Sequence, residues 1–112
     1  MIGWLNDFSD LNNNELKELK DSRRITYVWG LSYRTAMYLG MSDLPHCNIE
    51  AFIDIDPRKQ QKTILNKKIS PPETLKNIPH DATVVIGVGP SSRSMMQQLR
   101  DQGFKGQVIR LI

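Results

Sequence analysis

Hydrophobic residues change their period several times along the chain, and each change marks an element. Arg24 to Trp29 (RITYVW) is β-branched and aromatic and stops at Gly30, which predicts a first strand. Tyr33, Ala36, Met37, Gly40 and Leu44 then recur at helical spacing, predicting a helix with that face inward and Pro45 as its end. Asn48 to Ile55 (NIEAFIDI) predicts the second strand, closed by Asp56-Pro57. The basic, polar stretch Arg58 to Lys68 predicts a loop, with Lys68-Ile69 as a very short strand. Ser70-Pro71-Pro72-Glu73 predicts a helix start, with Ser70 as N-cap, Pro71 at the first helical position and Glu73 closing a capping box. Leu75 and Ile78 face inward there, and Pro79 is the stop. Ala82 to Val88 (ATVVIGV) is continuously apolar, as expected of a strand buried on both faces. Gly89-Pro90-Ser91-Ser92 opens a helix that buries Met95, Met96 and Leu99 and ends at Gly103. Gln107 to Leu111 is the last strand.

Strands that alternate with helices imply right-handed crossovers and a parallel sheet. The expected fold is α/β: a small doubly wound, mostly parallel sheet of order 3-2-1-4-5, spanning residues 24–112. Residues 1–23 are expected as a helical appendage. In it Ile2, Trp4, Leu5 and Phe8 form an apolar segment, and Asn12 to Asn14 cap a helix from Glu15 to Lys20 that turns Leu16 and Leu19 inward.

Composition narrows the class. A chain of 112 residues, 39% hydrophobic and 24% charged, suits one globular domain. Its formal charge of +3 favours a small anionic ligand slightly. No block of Lys and Arg is interleaved with aromatics, so no nucleic-acid partner is expected. The single cysteine, Cys47, excludes a disulfide within the chain and fits a cytoplasmic location. Met1 to Asp10 does not read as a signal peptide, and no stretch approaches the roughly 18 apolar residues of a membrane span. Trp4 and Phe8 pack either on the domain or on a partner, whether a second copy or a catalytic subunit.

The predicted topology splits the sheet where strands one and four wind apart, and ligands bind in such a crevice. Two similar corners flank it. One is Gly30-Leu31-Ser32-Tyr33-Arg34, and the other is Gly87-Val88-Gly89-Pro90-Ser91-Ser92-Arg93. Each joins glycine, a hydroxyl and an arginine near a helix start, where unpaired N–H groups and the helix dipole favour an anion. The plainer alternative is that these are only turn and cap residues and that each arginine meets a surface carboxylate. Asp54 stands about twenty residues beyond the first glycine, where dinucleotide-binding folds place a ribose acceptor. Asp56 shares its side of the strand, or simply ends the strand with Pro57. The fingerprint G-x-G-x-x-G is absent, because the first corner holds one glycine, so NAD and FAD are not expected. A mononucleotide, a nucleotide-sugar or no ligand remain as the alternatives. His46, His80 and Cys47 form no catalytic set, no metal spacing occurs, and no independent catalytic activity is expected.

Three stretches together carry a resemblance: Tyr27-Val28-Trp29-Gly30 with Arg34, Phe52 through Lys59 (FIDIDPRK), and Ile69 through Leu75 (ISPPETL). With Val84 to Gly89 and Leu99 to Phe104 in order after them, residues 24–107 resemble the small Rossmann-like domains attached to bacterial enzymes that modify nucleotide-linked sugars. Two relatives are similar: the N-terminal domain of sugar O- or N-acyltransferases, which precedes a left-handed β-helix, and the C-terminal domain of sugar C-methyltransferases. The resemblance implies a transferase-associated nucleotide-sugar module of bacterial polysaccharide biosynthesis. It places Gly30 and Ser32 near the phosphates, Asp54 near the uridine ribose or base, and Gly87 to Ser91 on the opposite wall. The chain departs from these relatives in lacking a second glycine in the first corner and a β-helix repeat after Ile112. Three functions stay open: a binding module without chemistry, an assembly module with a degenerate pocket, and a piece of a sugar acyl- or methyltransferase.

Overall fold

The computed structural model describes residues 14–87 and 91–111; Trp4, Phe8, Val88, Gly89 and Pro90 lie outside them. The chain is α/β, with a six-stranded, mostly parallel sheet. Helix α1 covers 14–22. Strand β1 (Thr26–Trp29) leads to α2 (Tyr33–Met41) and β2 (Ile49–Ile53). A hairpin follows, of β3 (Thr63–Ile64) and β4 (Lys67–Ser70). A 3-10 helix (Pro72–Asn77) then precedes β5 (Thr83–Ile86), α3 (Ser92–Asp101) and β6 (Gln107–Arg110).

The order across the sheet is β3-β4-β2-β1-β5-β6. This differs from the predicted five-strand order 3-2-1-4-5, because the supposed loop 58–68 supplies a further edge strand. Thr63 pairs with Lys68 and Ile64 with Lys67, antiparallel. Leu65 (φ 51°) and Asn66 (φ 63°) make the connection, and two successive positive φ values characterise the tight hairpin turn whose twist matches its strands. That turn normally announces itself as Asn-Gly; Leu-Asn hides it.

The remaining pairs are parallel. Thr26 to Trp29 of β1 lie between Ile49 to Ile53 of β2 and Thr83 to Ile86 of β5. From this centre the chain winds outward both ways, which puts helices on both faces. One layer packs Leu16 and Leu19 of α1 and Tyr38 of α2 against Val28, Phe52, Val85 and Ile109. The other packs Leu75, Ile78, Met95 and Leu99 against Trp29, Ile53, Val84 and Ile86. Consecutive residues of β5 therefore serve opposite cores, which is why that strand reads as an unbroken apolar run. Complete burial of such side chains contributes about 1.5–3 kcal/mol each. The segment expected as an appendage thus places Leu16 and Leu19 in the same core as the sheet.

Two helix starts differ from expectation. The face predicted for α2 is not the buried one: Thr35 and Tyr38 point inward, whereas Tyr33 is 82% exposed, Ala36 and Gly40 are exposed too, and Met37 is only half-buried. On this inward face the Thr35 hydroxyl donates a buried hydrogen bond to the Gly30 carbonyl. Leu44 is buried but belongs to a separate 3-10 turn, Leu44–His46. Ser70 is not an N-cap, since it ends β4 and its carbonyl accepts the Asp54 N–H at 3.1 Å. Pro71 takes the cap position, no side chain caps this helix, and Glu73 closes no capping box. At the end of α3, Gly103 adopts φ 90° and lets the Phe104 N–H return to the Leu99 carbonyl at 3.0 Å.

Candidate functional site

Strands β1 and β5 end side by side, so their following corners meet at the carboxyl edge of the sheet. Gly30 has φ 97°, a turn that a side chain would strain. Gly87 is required for a different reason. A Cβ there would lie 1.8 Å from Thr35 Oγ1 and 2.6 Å from the Gly30 carbonyl oxygen. The Ser32 hydroxyl donates to the Gly87 carbonyl at 2.5 Å. The two glycine corners are thus in direct contact, and neither Tyr33 nor Leu31 fills a gap between them: Tyr33 faces solvent and Leu31 packs on the first core.

The polar groups of the first corner are almost all engaged. Leu31 N–H donates to Asp54 Oδ2 at 2.9 Å, and the Leu31 carbonyl accepts from Lys59 Nζ at 2.7 Å. Lys59 also pairs with Asp54 at 3.7 Å. Asp54 Oδ1 accepts the Asp56 N–H at 2.9 Å, and Gln60 Nε2 donates to the Asp54 carbonyl at 2.7 Å. Asp54 is 8% exposed. Its side chain therefore faces the corner itself rather than open crevice. Asp56 is a half-buried turn residue gripped by the exposed Arg58 through its N–H, Nε and Nη2 at 3.0–3.2 Å. The hydrogen bonds from Arg58 hold the Asp56 carboxyl below its ordinary range.

Both helices begin at this edge without a side-chain cap and without an acid in the first turn. The Ser32 hydroxyl is diverted to Gly87, so it leaves the first N–H groups of α2 uncapped. Arg34 reaches across to the Leu111 carbonyl at 3.4 Å. In the second corner Ser91 is exposed, and Ser92, 3% exposed, accepts Arg110 Nε at 3.1 Å. Arg93 is exposed and makes no hydrogen bond or ion pair among the described residues. Of the predicted residues, Gly30, Ser32, Asp54 and Gly87 come together directly, Arg34, Ser91, Ser92 and Arg93 flank them, and Gly89 is outside the described residues. Thr35, Lys59 and Gln60 were not predicted. Thr35 had a signal, a buried-type hydroxyl one turn into a helix after a glycine; Lys59 and Gln60 had none in a polar stretch.

Other reactive groups stand apart. Cys47 Sγ lies 3.7 Å from the Leu16 carbonyl and 3.6 Å from that of Asp43. Burial, with Asp43 adding to it, pushes this thiol up to about 11, so it stays protonated at neutral pH. Tyr27 is likewise raised, by burial and then by Glu50. His80 stacks on Phe104. Among the described residues no three His, Cys, Asp or Glu side chains gather as a metal cluster, and no helix is long and apolar enough to cross a membrane. A cavity of about 570 Å³ opens at the opposite, amino edge, lined by Lys20, Asp21, Arg23, His46 and Asn48. It lies away from both corners, and Lys20 is already paired with Asp43 at 3.7 Å.

Fold and corner together define a class, a small doubly wound α/β domain whose two glycine corners touch at the carboxyl edge. No family model, curated protein or solved structure matches the chain.

Proposed function

We propose that this chain is a nucleotide or nucleotide-sugar binding module of bacterial sugar modification, cytoplasmic, with any group transfer carried out by another domain or subunit. The observation that carries the reading is the contact between the two corners. It brings two uncapped, acid-free helix starts to one edge of the sheet, with Arg34 and Arg93 in their first turns. Such an edge attracts phosphate through backbone N–H groups, helix dipoles and guanidinium groups acting together.

Titration with UDP- and TDP-sugars tests it. A saturating rise in Tm is expected, and Arg34→Ala with Arg93→Ala should abolish the rise while leaving the ligand-free Tm within about 2 °C, as surface substitutions do. An unchanged Tm at millimolar ligand overturns the reading.

A second reading, an assembly module, draws on four exposed apolar side chains: Tyr33, Met41, Ile55 and Leu65. Sedimentation that finds only monomer at high concentration removes it.

A further inference from the structure

In dinucleotide-binding folds the acid that ends the second strand reads the ribose hydroxyls. Here that acid holds the protein's own backbone. Asp54 and Lys59 hold the two peptide groups that flank the Leu31 Cα, at 2.9 Å on the Leu31 N–H and 2.7 Å on the Leu31 carbonyl, and they pair with each other at 3.7 Å. The second Asp54 oxygen is engaged by the Asp56 N–H, and the residue is buried. A vicinal diol needs an exposed carboxylate edge, and this one is turned inward.

We infer that Asp54 and Lys59 are positioning residues that clamp the first corner, and that the crevice recognises a nucleoside diphosphate through its phosphates without reading the ribose diol. The second half of this inference rests on the binding function proposed above; the clamp does not. The clamp fixes Leu31 and so the direction in which the N–H groups at the start of α2 point. A phosphate seated there meets a donor array already in place, which raises affinity by removing an ordering cost. The ribose then projects past an acid that has no face to offer it.

Two measurements on the full chain test this. The first compares binding of UDP with that of 2′,3′-dideoxy-UDP. Affinities within about 2-fold are expected, and Asp54→Asn should weaken both by the same factor, about 10-fold. Lys59→Met should do likewise, while Lys59→Arg, which keeps a donor for the Leu31 carbonyl, should restore binding. A UDP preference of 10-fold or more that disappears in Asp54→Asn overturns the inference, even though the binding function would then stand. The second measurement is hydrogen exchange at the Leu31 amide, which needs no ligand. Protection in the native chain that falls at least 10-fold in Asp54→Asn and Lys59→Met, but not in Lys59→Arg, supports the clamp. Unprotected Leu31 in the native chain overturns it. If neither nucleotide saturates at millimolar concentration, the binding function and the phosphate-only recognition both fail, and exchange alone decides the clamp.

Discussion

The two corners at the carboxyl edge are alike in composition and unlike in what holds them. Each has a glycine, serine and arginine at the start of a helix. In the first, the N–H and carbonyl of Leu31, the Gly30 carbonyl and the hydroxyls of Ser32 and Thr35 are all engaged within the protein. In the second, Ser92 is held by Arg110, while Ser91 and Arg93 face solvent. The lesson is that a glycine-serine-arginine corner does not say which of its groups meet a ligand. That depends on what the neighbouring elements have already taken. Here the residues after β2, Asp54 and Lys59, and the carbonyl of Gly87 claim the first corner, and among the described residues no comparable segment bonds to Arg93.

This contrast can be broken most forcefully at Gly87. Gly87→Ala should destabilise by about 3 kcal/mol, the upper end for overpacking, because the added carbon meets backbone as well as Thr35. Chemical denaturation measures it, and a loss well under 1 kcal/mol would mean that the corners are not in contact. Thr35→Ala in the same chain should recover only part of the loss, since the Gly30 carbonyl remains in the way.

Next comes Thr35→Val, which keeps the shape and leaves the Gly30 carbonyl without its donor. The expected cost is about 2 kcal/mol by denaturation, that of an unsatisfied buried acceptor. The matching change in the second corner, Ser92→Ala, should cost about 1 kcal/mol, because Arg110 is exposed and water can replace the serine. Equal costs would erase the difference between the corners.

The smallest effect is expected at Arg58. The guanidinium itself is solvent-exposed and its carboxylate partner only half-buried, so Arg58→Ala should leave Tm almost unchanged, as for most surface ion pairs. The Asp56 carboxyl should still titrate higher in the variant, by NMR. Its folded value is depressed in the native chain, so any stabilisation from this pair is present above the ordinary carboxylate value of 3.8 and is lost as pH falls through the lower folded value. A drop in Tm at neutral pH would instead make Arg58 part of the clamp on Leu31.

Local pattern alone was enough for most of the architecture. The β-branched run before Gly30, the unbroken apolar run at β5 and the Met95–Leu99 spacing each report burial in the order of the chain, and burial follows from side-chain chemistry that a sequence states openly. The alternation of these elements then leads to a doubly wound parallel sheet, and topology leads to a crevice at its carboxyl edge. Three features lay beyond that reach. The edge hairpin turns on Leu65 and Asn66 in a conformation their identities do not advertise. The inward face of α2 follows Thr35 and Tyr38 rather than Tyr33, Ala36, Met37 and Gly40, with the Thr35 hydroxyl bonded to the Gly30 carbonyl. Asp54 sits where a ribose acceptor belongs and yet faces Leu31. All three involve hydrogen bonds between residues distant in sequence or opposed to local preference. A donor and its acceptor are fixed as a pair only when tertiary packing removes water from both, and the order of amino acids does not state which pairs those will be.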